Sequence, residues 1–324
     1  MFQFTSIYPD AAVLEKCTEL KELGFKIAVD GLLEGHTKNP LFELIDYLVI
    51  DITDFTLDKK FNATITALSQ LKQIVLSHIP DMETFDKLSG LPNTVYCGSF
   101  FSQPITKGAT KISPIKINAL TLLKRINEED FDLGDIADTI EHDPSLSISL
   151  LRFINTVMPR KIESIRNAVA ILGQKEVKRW ATAAISIQLA DDKPSEVSKL
   201  SLIRARFAEN LSKAFSMGVF APSLFMMGLF SLLDVILERP MEEAVKEVAL
   251  DEGVRAALVD KSGDFYYILE FIHAYEHANW DEIAIMMVKY DLDLEEVTTA
   301  FVDALVWYKA LLDAIEGDEE QKEG

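Results

Sequence analysis

Up to about residue 104, short runs rich in β-branched residues alternate with helical stretches; beyond that point strand-like runs stop. The runs are KIAVD ending at Asp30, YLVIDI ending at Ile52, QIVLSHI ending at Ile79 and TVYC ending at Cys97, with FQFTSI near the start as a weaker fifth. Their spacing of roughly twenty to twenty-five residues, with helices such as 11–23 and 59–71 between them, is the pattern of consecutive β/α units and predicts parallel strands. Five such units cannot close a (β/α)₈ barrel, and an open parallel sheet leaves strand edges that something must cover.

The stretch FFSQPITKGATKISPIK carries two prolines and no sustained period, which predicts an interdomain linker at 105–116. Helix signals repeat after it. Asp132 can cap a helix with Leu133, Ile136, Ala137 and Ile140 on one face. Asp143-Pro144 reads as an N-cap and first helical residue, followed by the stripe Leu146, Leu150, Phe153, Ile154 and Val157. Ser164 can cap a segment that Gly173 ends, and a helix bearing Trp180 resumes beyond it. The expected fold class is therefore α/β followed by all-α, with helices continuing to about residue 315 and an acidic tail at 316–324.

With 324 residues the chain has room for two cores. Its composition reads as soluble and globular, without an uninterrupted apolar run near the twenty residues a bilayer span needs. MFQFTSIYPD lacks a secretory signal, which predicts a cytoplasmic location with no membrane contact. Cys17 and Cys97 have neither disulfide nor zinc-ligand spacing. A net charge of −20 opposes general nucleic-acid binding, because affinity for the phosphate backbone comes from Lys and Arg.

Both halves resemble known families, and together they resemble bacterial EAL-HDOD signalling proteins. KIAVDGLLEG (Lys26 to Gly35) resembles the EAL-domain stretch carrying an Asp-Asp pair, YLVIDI resembles its K-x-D strand, and CGSFFSQP (Cys97 to Pro104) its closing segment. IEHDPSLSISLLRFINT, SIRNAVAILGQKEVKRW, RARFAE and MGLFSLLD resemble HDOD segments. The resemblance implies a degenerate, partial EAL-type β/α barrel over 1–104 and an all-helical, HD-superfamily-like HDOD domain over 117–315.

It also implies where catalytic residues would stand. EAL domains hydrolyse cyclic di-GMP with carboxylates that hold Mg²⁺ or Mn²⁺, hard cations that take oxygen ligands. By the resemblance Asp30 keeps the first Asp of the pair while Gly31 replaces the second. Val49 replaces the lysine of K-x-D, Asp51 keeps its aspartate, Ser77 and Pro80 stand at two glutamates, and Cys97 replaces the closing glutamine. Gln3 falls where a metal-binding glutamate is expected. Asp30 and Asp51 are thus remnants of a site, and two carboxylates are too few for two divalent ions; the turn chemistry of Asp also suits both as loop caps.

In the second half MGLFSLLD has Ser231 and Leu232 where the HD superfamily carries its His-Asp pair. His142-Asp143 is explained by the helix start, and His273 and His277, four apart, suit a half-buried helix better than a metal site. The expectation is a protein with no catalytic residues, metal or cofactor.

One stretch departs from the acidic background: Arg152, Lys161, Arg166, Lys175, Lys178 and Arg179 form a candidate patch for a partner segment or a nucleotide phosphate, with a solvated helix face as the plainer account. The function expected is regulation by contact with signalling proteins of unstated identity. A cyclic di-GMP receptor that does not hydrolyse its ligand, or an active phosphodiesterase, remain alternatives, and a homo-oligomer stays open.

Overall fold

The computed structural model describes residues 2–3, 10–31, 40–104, 112–127, 132–158, 161–248 and 250–316. It divides into two compact units, 1–103 and 104–324.

The first unit is a five-stranded parallel sheet in sequence order: β1 (Phe2–Gln3), β2 (Ala28–Asp30), β3 (Tyr47–Asp51), β4 (Gln73–Ile79) and β5 (Thr94–Gly98). Helices α1 (Ala11–Glu22), α2 (Leu41–Leu44), α3 (Lys59–Ser69) and α4 (Met82–Leu88) follow the first four strands in turn. Asp10, Asp58 and Asp81 cap α1, α3 and α4, each accepting a 2.8 Å hydrogen bond from the amide three residues on. Val29, Leu48, Ile50, Ile74, Leu76 and Ile79 are fully buried and pack with Leu41, Phe61, Ile65, Leu68 and Leu88 from the helices. Burial alternates along β4, so one sheet face forms the core while Gln73, Val75 and Ser77 on the other are half-buried. Among the described residues the sheet has five strands, where a closed (β/α)₈ barrel needs eight.

The second unit is helical throughout its described residues: α5 (Pro114–Asn127), α6 (Leu133–Glu141), α7 (Pro144–Val157), α8 (Ile165–Leu189), α9 (Ser195–Leu211), α10 (Ala221–Leu229), α11 (Leu233–Leu237), α12 (Met241–Ala244), α13 (Glu252–Arg255), α14 (Asp264–Glu276), α15 (Trp280–Tyr290) and α16 (Leu294–Glu316). Here α8 packs on α5, α6 and α7, while α9 packs on α10, α14 and α16. Trp180, Phe207, Phe230 and Phe271 are among the largest fully buried side chains.

The caps form as the sequence predicts. The Asp132 carboxylate accepts from the Gly134 amide at 2.8 Å, that of Asp143 from Leu146 at 3.1 Å, and the Ser164 hydroxyl from Asn167 at 3.4 Å. Gly173, at φ 75°, ends the first segment of α8 before the helix resumes toward Trp180. Gly228 lets α10 meet α9 at backbone distance: a Cβ there would lie 2.4 Å from the Arg204 carbonyl oxygen.

Two expectations need correction. Helix α5 begins at Pro114, inside the stretch read as linker, because proline's fixed φ and missing N–H suit a first helical position; the preceding 105–111 lie outside the described residues. The second concerns apolar runs. Gly218–Leu237 spans 20 residues and is long and apolar enough to cross a bilayer. Here it is divided between two 3-10 turns, α10 and α11, with 56% of its apolar window buried inside the molecule.

Candidate functional site

In an open parallel sheet the carboxyl ends of the strands are where chemistry collects. The register sets Asp30 at the end of β2 beside Gln3 of β1 and Val49 of β3, and Asp51 at the end of β3 beside Ser77 of β4. The two remnant aspartates therefore end neighbouring strands at different heights. Gly31, at φ 98°, occupies a conformation that an L side chain rarely adopts, so an aspartate in its place would be strained.

Asp51 works as a cap. One carboxylate oxygen accepts from the Thr53 amide at 2.9 Å and the Thr53 hydroxyl at 2.7 Å, starting a 3-10 turn. The other lies 2.9 Å from His78 Nδ1. Burial raises the Asp51 pKa, but the Thr53 hydrogen bonds and the His78 ring outweigh it and hold the carboxyl below its ordinary range. His78 itself sits at φ 61° in the irregular stretch of β4 between Leu76 and Ile79. Among the described residues, no group of three or more His, Cys, Asp or Glu side chains could hold a metal ion.

The helical unit has a buried polar cluster around Ser231. Arg204 of α9 donates through Nε and Nη2 to the two carboxylate oxygens of Glu276 on α14, at 2.8 and 2.7 Å, and through Nη1 to the Ser231 hydroxyl at 3.1 Å. Ser231 in turn donates to the Gly228 carbonyl at 2.8 Å. Arg204 is 5% exposed. Burial, reinforced by the positive charge of Arg204, pushes nearby His273 down to about 3, so its imidazole is neutral at physiological pH. His277 turns back on the His273 carbonyl at 2.7 Å at the end of α14, and His142 on the Asp138 carbonyl at 2.5 Å at the end of α6. A fixed guanidinium thus stands beside Ser231, its charge balanced by the Glu276 carboxylate.

The six basic residues singled out in the sequence do not share one surface. Arg166 pairs with Asp138 and, at 3.6 Å, with Glu141 on α6. Arg179 is 8% exposed, ion-paired with Glu176 and with buried Glu209, and its guanidinium lies 5.7 Å from the Phe225 ring centroid. It is a core residue. Lys161 pairs with Glu163 at 3.0 Å on the surface, and Arg152 is exposed. Lys178 is half-buried, and burial lowers its pKa. Lys175 reaches a groove of about 830 Å³ bordered by α8, α9 and α16.

That groove was not visible in the sequence. At its base Glu209 accepts from Arg206 at 2.7 Å as well as from Arg179, joining two cations through one carboxylate. The Arg206 guanidinium also lies 5.8 Å from the Trp307 ring centroid, and its Nε is buried without a hydrogen-bond partner. Glu296 and Asp303 of α16 form the opposite wall.

The HDOD domain model matches residues 113–258, so α14–α16 lie beyond the match while belonging to the same compact unit. Together with the helical fold, this defines an HDOD-domain signalling protein. The "Uncharacterized protein YuxH" of Bacillus subtilis (strain 168) is 30% identical over 314 residues, covering 94% of this chain and 76% of YuxH. The chain belongs to that family. A second relative, "Cyclic di-GMP phosphodiesterase CdgJ" of Vibrio cholerae, is 26% identical over 304 residues, covering 92% of this chain and 70% of CdgJ.

Proposed function

We propose that this protein is a non-catalytic signal-transduction regulator that acts by protein contact through its HDOD helices, with the amino-terminal unit serving as a degenerate, partial EAL-type scaffold. The observation that carries the reading is the Arg204–Glu276–Ser231 cluster. At Ser231, which by the resemblance of MGLFSLLD stands where the HD superfamily carries its histidine, the chain has a buried guanidinium that is already neutralised by its own carboxylate. The second support comes from the sheet: Asp51 is engaged by Thr53 and His78, and Gly31 replaces the partner that Asp30 would need. Lys175 and Lys178 stay as candidate partner or ligand contacts, and so do Arg152 and the surface pair of Lys161 with Glu163, whereas Arg179 is buried in ion pairs within the unit and Arg166 is paired with α6.

One observation favours a second reading. CdgJ is named as a cyclic di-GMP phosphodiesterase, and Asp30 and Asp51 still end adjacent strands, which suits a receptor that binds this nucleotide without cleaving it. Isothermal titration with cyclic di-GMP in Mg²⁺ or Mn²⁺, followed by chromatography of the nucleotide, separates the readings. Regulation by contact predicts neither heat nor product. Saturable heat without product establishes the receptor, and product overturns both.

A further inference from the structure

We infer that the outer face of α16, with the acidic border of the groove beside it, is a docking site for a basic amphipathic helix of a partner protein. The inference rests on the contact-regulator reading and gives it a surface and a partner chemistry.

Helix α16 is apolar on two sides. Val297, Ala300, Ala304 and Leu311 are buried in a unit where α16 packs on α7 and α9, and they account for its place in the fold. Leu294, Val302, Leu305 and Val306 are 61%, 49%, 39% and 64% exposed and contribute little to the core. Positions 302, 305 and 306 share one face, and 294 lies about two turns earlier on its flank. An exposed apolar cluster at Val302, Leu305 and Val306 marks an interaction surface, because leaving it in water is unfavourable and folding does not require it.

Charge selects the occupant. Glu295, Glu296 and Asp303 run along the side of α16 that borders the groove, in a chain of net charge −20, while the groove's cations, Lys175, Arg179, Arg206 and Lys213, come from outside α16. On the α16 face itself an acidic peptide or a nucleotide phosphate meets like charge, and a second copy of α16 would set Glu against Glu. A helix with apolar anchors at i, i+3, i+4 and i+7 and Lys or Arg along one side satisfies both features: its anchors cover Val302, Leu305 and Val306, and its cations reach Glu296 and Asp303.

The test is fluorescence anisotropy of the full chain with a labelled Leu/Lys amphipathic helix of about 18 residues, a scramble of the same composition, and a Leu/Glu counterpart. We expect the Leu/Lys helix to bind and the other two to fail. Val302→Asp/Val306→Asp and Glu295→Lys/Glu296→Lys should each weaken binding at least about tenfold. Glu15→Lys/Glu22→Lys, an equal charge change on exposed α1, should leave it unaltered; circular dichroism checks that every variant folds. Equal binding of the scramble, equal weakening by the α1 variant, or unaltered binding by either α16 variant overturns the proposal. The nucleotide titration fails independently: turnover of cyclic di-GMP removes the regulatory reading whatever the peptides do, and lost peptide binding with an inert nucleotide removes this surface alone.

Discussion

Replacing Glu276 with alanine removes both oxygens that the Arg204 guanidinium uses, at 2.8 and 2.7 Å, and leaves the charge with the Ser231 hydroxyl in a site where Arg204 is 5% exposed. Removing one partner of a buried pair costs about 3–5 kcal/mol, because the survivor is a desolvated and uncompensated charge. For a unit of this size, each kcal/mol lowers the melting temperature by about 2–4 °C, so Glu276→Ala should melt about 6–20 °C below the parent. The pair's net contribution relative to apolar residues is small, which separates this account from simple loss of contact area. Arg204→Met/Glu276→Leu should therefore be more stable than Glu276→Ala, although it lacks both charges. Urea unfolding followed by far-ultraviolet circular dichroism and by fluorescence of buried Trp180, with calorimetry alongside, measures all three proteins. A Glu276→Ala variant within about 1 kcal/mol of the parent would refute the reasoning, since it would mean that Arg204 is solvated.

The bridge at the groove base predicts that Glu209→Gln, which leaves Arg179 and Arg206 facing a neutral amide, costs at least about 2 kcal/mol by urea midpoint, whereas the exposed Lys161–Glu163 pair can be deleted at under about 1 kcal/mol. Gly228→Ala should cost about 1–3 kcal/mol because its Cβ would meet the Arg204 carbonyl at 2.4 Å, while Gly134→Ala, whose nearest neighbour would be Asp132 at 3.6 Å, should be neutral or stabilising in the same assay. His273 is held down to about 3 in the fold against an unfolded value near 6.5, so between those values the unfolded chain binds the extra proton. Its contribution is complete above pH 6.5 and is lost as pH falls toward 3, at up to about 1.4 kcal/mol per pH unit. From pH 7.5 to 5.0 the parent should lose about 2 kcal/mol more than His273→Phe, and parallel pH profiles would contradict the assignment.

Local chemistry was legible in the sequence and long-range pairing was not. The β-branched runs ending at Asp30, Ile52, Ile79 and Cys97 mark the ends of β2–β5 within a residue, because strand propensity and parallel burial act on the same residues. Asp132, Asp143, Ser164 and Gly173 were readable as stops and starts, since capping involves amides only two or three residues away. Arg204 and Glu276 lie on different helices, 72 positions apart, and nothing local to either announces the other. The basic cluster misled for the same reason. Charges counted along a chain look like a surface patch, but Arg179 turns inward to Glu209, 30 residues on, and Arg166 to α6. The apolar stretch 218–237 shows the converse: Pro222 and Asp234 fit a broken segment, but only the fold gives its large side chains a protein interior to enter.

At the centre of the proposed regulatory function is the expectation that neither unit assembles a metal-dependent catalytic site. It is tested most directly by Mn²⁺ electron paramagnetic resonance on the full chain at equimolar metal, with cyclic di-GMP absent and then present. The account predicts the undiminished six-line signal of the aqueous ion in both cases. A stoichiometric loss of that signal, reversed by Asp51→Asn or accompanied by nucleotide cleavage, would contradict it.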